Sequence, residues 1–133
     1  MNKNTLNEIS LLAQQGFTLL AVCDESGCPH VAAAGKLEYY DGEQVAVTDW
    51  FCPGIAANAS SGKPVSIVVW VPDRDIGHQL TGKVKQVVDY GAPDGYAPLG
   101  EKYKPLPQMQ RTLIVTVDKI VAFSKAPHSD LEE

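Results

Sequence analysis

Six apolar runs of strand length, each bounded by turn residues, constrain this chain's fold more than any other feature: "FTLLAVCD", "HVAAAGKLEYY", "QVAVTDW", "PVSIVVWV", "HQLTGKVKQVV" and "TLIVTVDKIVAF". The first is continuous, too short for a buried helix and closed by "DESG", so it reads as a buried strand. The Asp-Gly pair of "YDGEQ" signals a tight hairpin between the second and third runs, and the first three strands form a meander. "PVSIVVWV" reads as a central strand. In "HQLTGKVKQVV", Leu80, Gly82 and Val84 fall on one face and Gln79, Thr81, Lys83 and Lys85 on the other. The following "QVV" breaks that alternation and predicts a bulge near Gln86. Six such strands with short turns are most economically packed as a mainly β structure, an antiparallel β-barrel, because closure leaves few sheet edges exposed.

Two helical segments accompany the strands. In "TLNEISLLAQQ", Thr5 and Glu8 have capping-box spacing, and Leu6, Ile9, Leu12 and Ala13 recur at helical intervals, which places a helix within residues 1–15. "GIAANASSG" reads as one or two turns ending at Gly62, with Pro64 soon beyond. Residues 125–133 read as a tail, and residues 89–108, rich in Pro, Gly and Tyr, as a lid or a dimer-wrapping arm.

The 133 residues, 44% of them apolar, suit a single domain spanning 1–133. The net charge of -5 argues against a nucleic-acid polymer as partner and leaves small molecules or proteins. No apolar run approaches the roughly 20 residues of a membrane-spanning helix, and "MNKNTLNEIS" lacks a signal-peptide core, so a cytoplasmic location away from membranes is expected. Cys23, Cys28, His30 and Cys52 are four soft donors, but "CDESGCPH" lacks the C-x2-C knuckle spacing; the thiols read as ordinary strand and turn residues, and no metal site is expected. "SSGKP" is no phosphate loop, since the glycine expected five positions before Gly62 is Ala57 and Lys63 is followed by Pro64.

The stretch "VTDWFCPGIAAN" passes from strand to helix in an elbow. With "DESGCPHVAAAGKLEYYDGEQVAV", "GKPVSIVVW" and "GHQLTGKV", it makes the chain resemble the FMN-binding split β-barrel family related to pyridoxamine 5′-phosphate oxidase over nearly its whole length. The resemblance implies a six-stranded antiparallel split barrel and a homodimer with FMN in a groove at the subunit interface. It places Ala33, Ala34, Gly35 and Lys36 along the flavin ring, Thr48, Asp49 and Trp50 at its flank, and the turn from Pro53 through Gly54 to Asn58 at the phosphate. These residue types suit those tasks. Ala33, Ala34 and Gly35 are small enough for a planar ring to approach their backbone, Trp50 and Phe51 can cover an apolar edge, and amides opening a helix attract an anion.

Relatives that hold FMN tightly carry Lys or Arg in the first turn of this helix, whereas this chain has Gly54, Ile55 and Ala56, so weaker binding is expected. Lys36, Lys63, Arg74 and Lys83 are possible substitutes, and their spacing selects none of them. His78 and Gln79 offer polar contacts to a flavin edge, yet no acid-base or nucleophile constellation has readable spacing, so no catalytic residue is assigned. The function implied is a flavoprotein oxidoreductase passing electrons between a reduced nicotinamide nucleotide and an unidentified acceptor. The alternatives are a ligand-binding or interaction dimer without catalysis, and a related redox enzyme using a deazaflavin or acting on haem.

Overall fold

A computed structural model describes residues 3–51, 53–89 and 109–132, with side chains described for 5–48, 55, 57–88 and 110–132. Along the chain run α1 (Lys3–Ala13), β1 (Phe17–Cys23), β2 (Pro29–Ala34), β3 (Lys36–Asp41), β4 (Gln44–Phe51), α2 (Pro53–Asn58), β5 (Pro64–Val71), β6 (Ile76–Asp89) and β7 (Met109–Ala122). The strands form one antiparallel sheet in the order β2-β1-β5-β6-β7-β4-β3. Its two end strands, β2 and β3, are consecutive in the chain and joined by Gly35 alone, so the sheet's ends meet at that residue and the wall closes into a barrel.

This is the antiparallel barrel expected from the sequence, with seven strands instead of six. "HVAAAGKLEYY" is not one strand: the chain bends at Gly35, so that β2 pairs with β1 while β3 pairs with β4. The Asp-Gly hairpin forms with Asp41 opposite Gln44 and Gly42 at φ 53, a left-handed conformation that a side chain would resist. The bulge expected near Gln86 lies between Val84 and Gln86 in the β6–β7 ladder, and a second lies between Thr81 and Gly82. At that second bulge a Cβ on Gly82 would collide with the carbonyl of Thr116, so the close approach of the two backbones depends on glycine. Helix α1 begins at Lys3, two residues before Thr5, which therefore lies within the first turn and does not cap it.

Alternation fills the interior. On β5 the buried residues are Val65, Ile67, Val69 and Val71, and on β1 they are Thr18, Leu20 and Val22. Leu37, Val45, Val47, Leu80, Leu113, Val115 and Ile120 join them from the other strands, and α1 adds Leu6 and Ile9 where it packs against β3 and β5. Each fully buried Leu or Ile contributes on the order of 2 kcal/mol. No helix among the described residues is long and apolar enough to cross a membrane.

The outer face is uneven. Trp70, on β5, is half-buried and meets Phe123 edge-on at 6.0 Å, and its indole Nε1 donates to Asp75 Oδ1. Asp75 also accepts the backbone amides of Lys125 and Ala126, which latches the C-terminal tail over this region and holds the carboxyl below its usual range. Among the described residues, Phe17, Leu19 and Val31 on neighbouring β1 and β2 have no such cover, and Phe17 and Val31 are 61% and 64% exposed.

Candidate functional site

The bend at Gly35 places the residues expected along a flavin ring at a corner of the barrel. Ala33 and Ala34 stand opposite Leu19 and Thr18 on β1, and after Gly35 the chain changes partner, so that Lys36 stands opposite Thr48 on β4. Thr48 in turn stands opposite Thr112 on β7, and their hydroxyl oxygens lie 2.7 Å apart. Residues directly opposite in an antiparallel ladder share a face. Lys36, Thr48 and Thr112 therefore form one row across three strands, and it lies on the outer face because their neighbours Leu37, Val47 and Leu113 point into the core.

Lys36 Nζ lies 3.4 Å from Glu38 Oε1, a surface pair of little energetic weight, and the Lys36 side chain is still 65% exposed. Beside the corner is a cavity of about 200 Å3 lined by Ala13, Gln14, Thr18, Gly35, Lys36, Leu37 and Glu38. Ligand pockets usually enclose roughly 300–1,000 Å3, so this cavity is too small to enclose a molecule of flavin size by itself. A larger and mainly apolar cavity of about 420 Å3 lies at the other end of β1, among Ala21, Cys23, Pro29, Pro64 and Ser66, away from the corner.

The elbow continues β4 directly into α2. Asp49 and Trp50 stand opposite Arg111 and Gln110 in the β4–β7 ladder, and their side chains, with those of residues 51–54, lie outside the described residues. Helix α2 starts at Pro53, packs against β1 and β2, buries Ile55 and ends at a half-buried Asn58. Its six residues include no basic group, so backbone amides and the Asn58 carboxamide are all that Gly54 to Asn58 could offer an anion. Of the segment 89–108, read above as a lid or arm, Asp89 ends β6 and residues 90–108, like Cys52, lie outside the described residues.

The cations that spacing could not rank occupy different places in the fold. Arg74 sits in the β5–β6 turn against the Gln15 amide, and Lys83 is on β6 opposite Pro64, whereas Lys36 alone of the four is in the row with Thr48. Thr112 and Arg111 were invisible as site residues in the sequence, since both follow residues 90–108 and only the long-range β4–β7 pairing brings them to Thr48 and Asp49. His78 and Gln79 lie on β6, separated from β2 by β1 and β5, and the Gln79 amide donates to Ser66 Oγ at 2.8 Å.

No protein-family model and no curated protein sequence matches the chain. Solved structures do. HupZ of Group A Streptococcus superposes with a TM-score of 0.64 at 15% identity, covering 92% of this chain and 96% of that one. An FMN-binding protein of Syntrophomonas wolfei gives 0.62 at 17% identity, covering 94% and 90%. A Clostridium acetobutylicum protein of the pyridoxine phosphate oxidase family, related to general stress protein 26, gives 0.60 at 14% identity, covering 99% and 96%. At such identities the likeness speaks for the fold alone. The chain has the split β-barrel fold of the pyridoxamine 5′-phosphate oxidase-like and FMN-binding proteins.

Proposed function

We propose that the protein is a homodimeric FMN-binding flavoprotein, with the flavin against the Gly35 corner and its phosphate beside Lys36, Thr48 and Thr112. The row of an exposed ammonium and a hydrogen-bonded hydroxyl pair, half-buried Thr48 backed by buried Thr112, carries this reading, because it offers a phosphate a cation and a hydroxyl donor without the basic residues that α2 lacks. Ala33, Ala34 and Gly35 would lie along the ring, with Thr48, Asp49 and Trp50 at its flank and Pro53, Gly54 and Asn58 near the phosphate. Bound FMN would supply electron transfer between a reduced nicotinamide nucleotide and an acceptor, and the chain would bind, orient and shield it.

The second wall would come from another copy of the chain. The uncovered apolar face of β1 and β2 runs into the corner through Val31 and Ala33, so a copy seated there would complete the partial cavity. The same face also favours the non-catalytic alternative, an interaction dimer on this fold. Titration with FMN and with riboflavin separates the two. The flavoprotein reading predicts saturable fluorescence quenching by both ligands with tighter binding of FMN; equal affinities would refute the phosphate site, and no saturation by either would favour the interaction dimer.

A further inference from the structure

The hairpin between β1 and β2 carries a side-chain cluster that the flavin reading does not use. The turn is fixed by Asp24: its backbone amide donates to Cys28 O at 3.0 Å, and its carbonyl accepts from Gly27, which has φ 86. Its carboxylate oxygen Oδ1 accepts from Ser26 N, Ser26 Oγ and Cys28 N at 2.9, 2.7 and 2.9 Å. These three bonds saturate one oxygen and aim the other, Oδ2, at His30 Nε2, 3.0 Å away. The Cys28 thiol donates weakly to Pro29 O at 3.9 Å, outside the turn's own hydrogen bonds. One carboxylate oxygen of Asp24, one ring nitrogen of His30 and the Cys28 Sγ nevertheless all lie within 4.8 Å of one another.

We propose that Asp24, Cys28 and His30 form a three-ligand site for a borderline-soft divalent metal ion such as Zn2+, with a fourth position open to water. The donor set differs from the one considered in the sequence: among the described residues Asp24 joins Cys28 and His30 and Cys23 does not, and the proposal gives Cys52 no role. Tetrahedral zinc with bonds of about 2.0 Å to N and O and 2.3 Å to S has ligand atoms about 3.3–3.6 Å apart. The Oδ2–Nε2 pair is already near that separation, and Cys28, whose thiol is within 4.8 Å of its partners' ligand atoms, is exposed and not held by packing. The Ser26 and Cys28 donors to Oδ1 act as the outer shell that orients a ligating carboxylate. A thiolate and an imidazole in the set select zinc or cobalt over magnesium or calcium.

The site is tested on the full chain by anaerobic titration with Co2+, whose thiolate charge-transfer band reports Cys ligation. One equivalent per chain should saturate the band, and Zn2+ should bleach it. Cys28→Ser should abolish it, Cys23→Ser and Cys52→Ser should retain it, and His30→Gln should weaken binding by at least about tenfold. Asp24→Asn keeps an oxygen acceptor for the turn while removing the anionic ligand and should weaken binding by a similar factor, with circular dichroism confirming that the variant is folded. Absence of the band, its persistence in Cys28→Ser, its loss in Cys23→Ser or Cys52→Ser, or unchanged affinity in Asp24→Asn or His30→Gln would overturn the proposal. None of these results bears on flavin binding, so the two readings fail separately.

Discussion

Two adjoining stretches of the barrel's outer face are both apolar and are treated oppositely by the chain. Around Trp70, Phe123 stacks edge-on and the tail is pinned by Asp75, so the chain covers the patch with its own residues. Around Phe17, Leu19 and Val31, one to two strands away, the described residues provide no cover. The sequence marks "PVSIVVWV" with Trp70 as a central apolar strand, yet the exposed large apolar side chains of this face lie on β1 and β2. The difference teaches that strand hydrophobicity says which face can be buried, while the identity of what buries it depends on contacts distant in sequence.

If a second copy covers the bare stretch, the largest effect should come from charging it. Val31→Lys should convert a dimer at micromolar concentration into a monomer in sedimentation while leaving the fold intact, because residue 31 points outward. It should also weaken FMN binding if the partner supplies the second wall. Wild-type protein that sediments only as a monomer would remove the homodimer from the account.

The covered stretch should respond to acid. Hydrogen bonds from the Lys125 and Ala126 amides lower the Asp75 pKa in the folded protein, so this group adds stability above the usual carboxylate range and loses it as pH falls through the lowered value. Below about pH 4 the tail should loosen, with a change in Trp70 fluorescence and faster proteolysis near residue 125. Asp75→Ala should show the same changes at neutral pH and a lower Tm, since Trp70 Nε1 and both amides lose their acceptor together. Identical acid titrations of wild type and Asp75→Ala would exclude Asp75 as the latch.

Local pattern carried much of the wall. The alternation that breaks at "QVV" located the bulge at Gln86, and Leu6 and Ile9 at helical spacing marked the buried face of α1. What was not legible depended on pairing. "HVAAAGKLEYY" has no polar interruption at Gly35, so its division between β1 and β4 appears only once both partners are in place. The same holds for Thr112 beside Thr48, 64 residues apart in sequence, and for Asp24 beside His30, where the turn's hydrogen bonds and not residue spacing aim the carboxylate. At the elbow the sequence named the segment and named Lys36 among four candidate cations, and the β3–β4 pairing places Lys36 opposite Thr48.

The smallest change in the series is also the most direct test of the proposed flavin site. Lys36 is exposed and paired only with Glu38 at the surface, so Lys36→Ala should leave Tm nearly unchanged. A charge-assisted hydrogen bond to phosphate contributes about 1.5–3 kcal/mol, so its loss should weaken FMN binding by roughly tenfold or more. Riboflavin, which has no phosphate, should bind the variant and the wild type alike. The measurement is therefore the ratio of FMN to riboflavin dissociation constants in wild type and Lys36→Ala. The account predicts that the preference for FMN collapses in the variant, and an unchanged preference would contradict it.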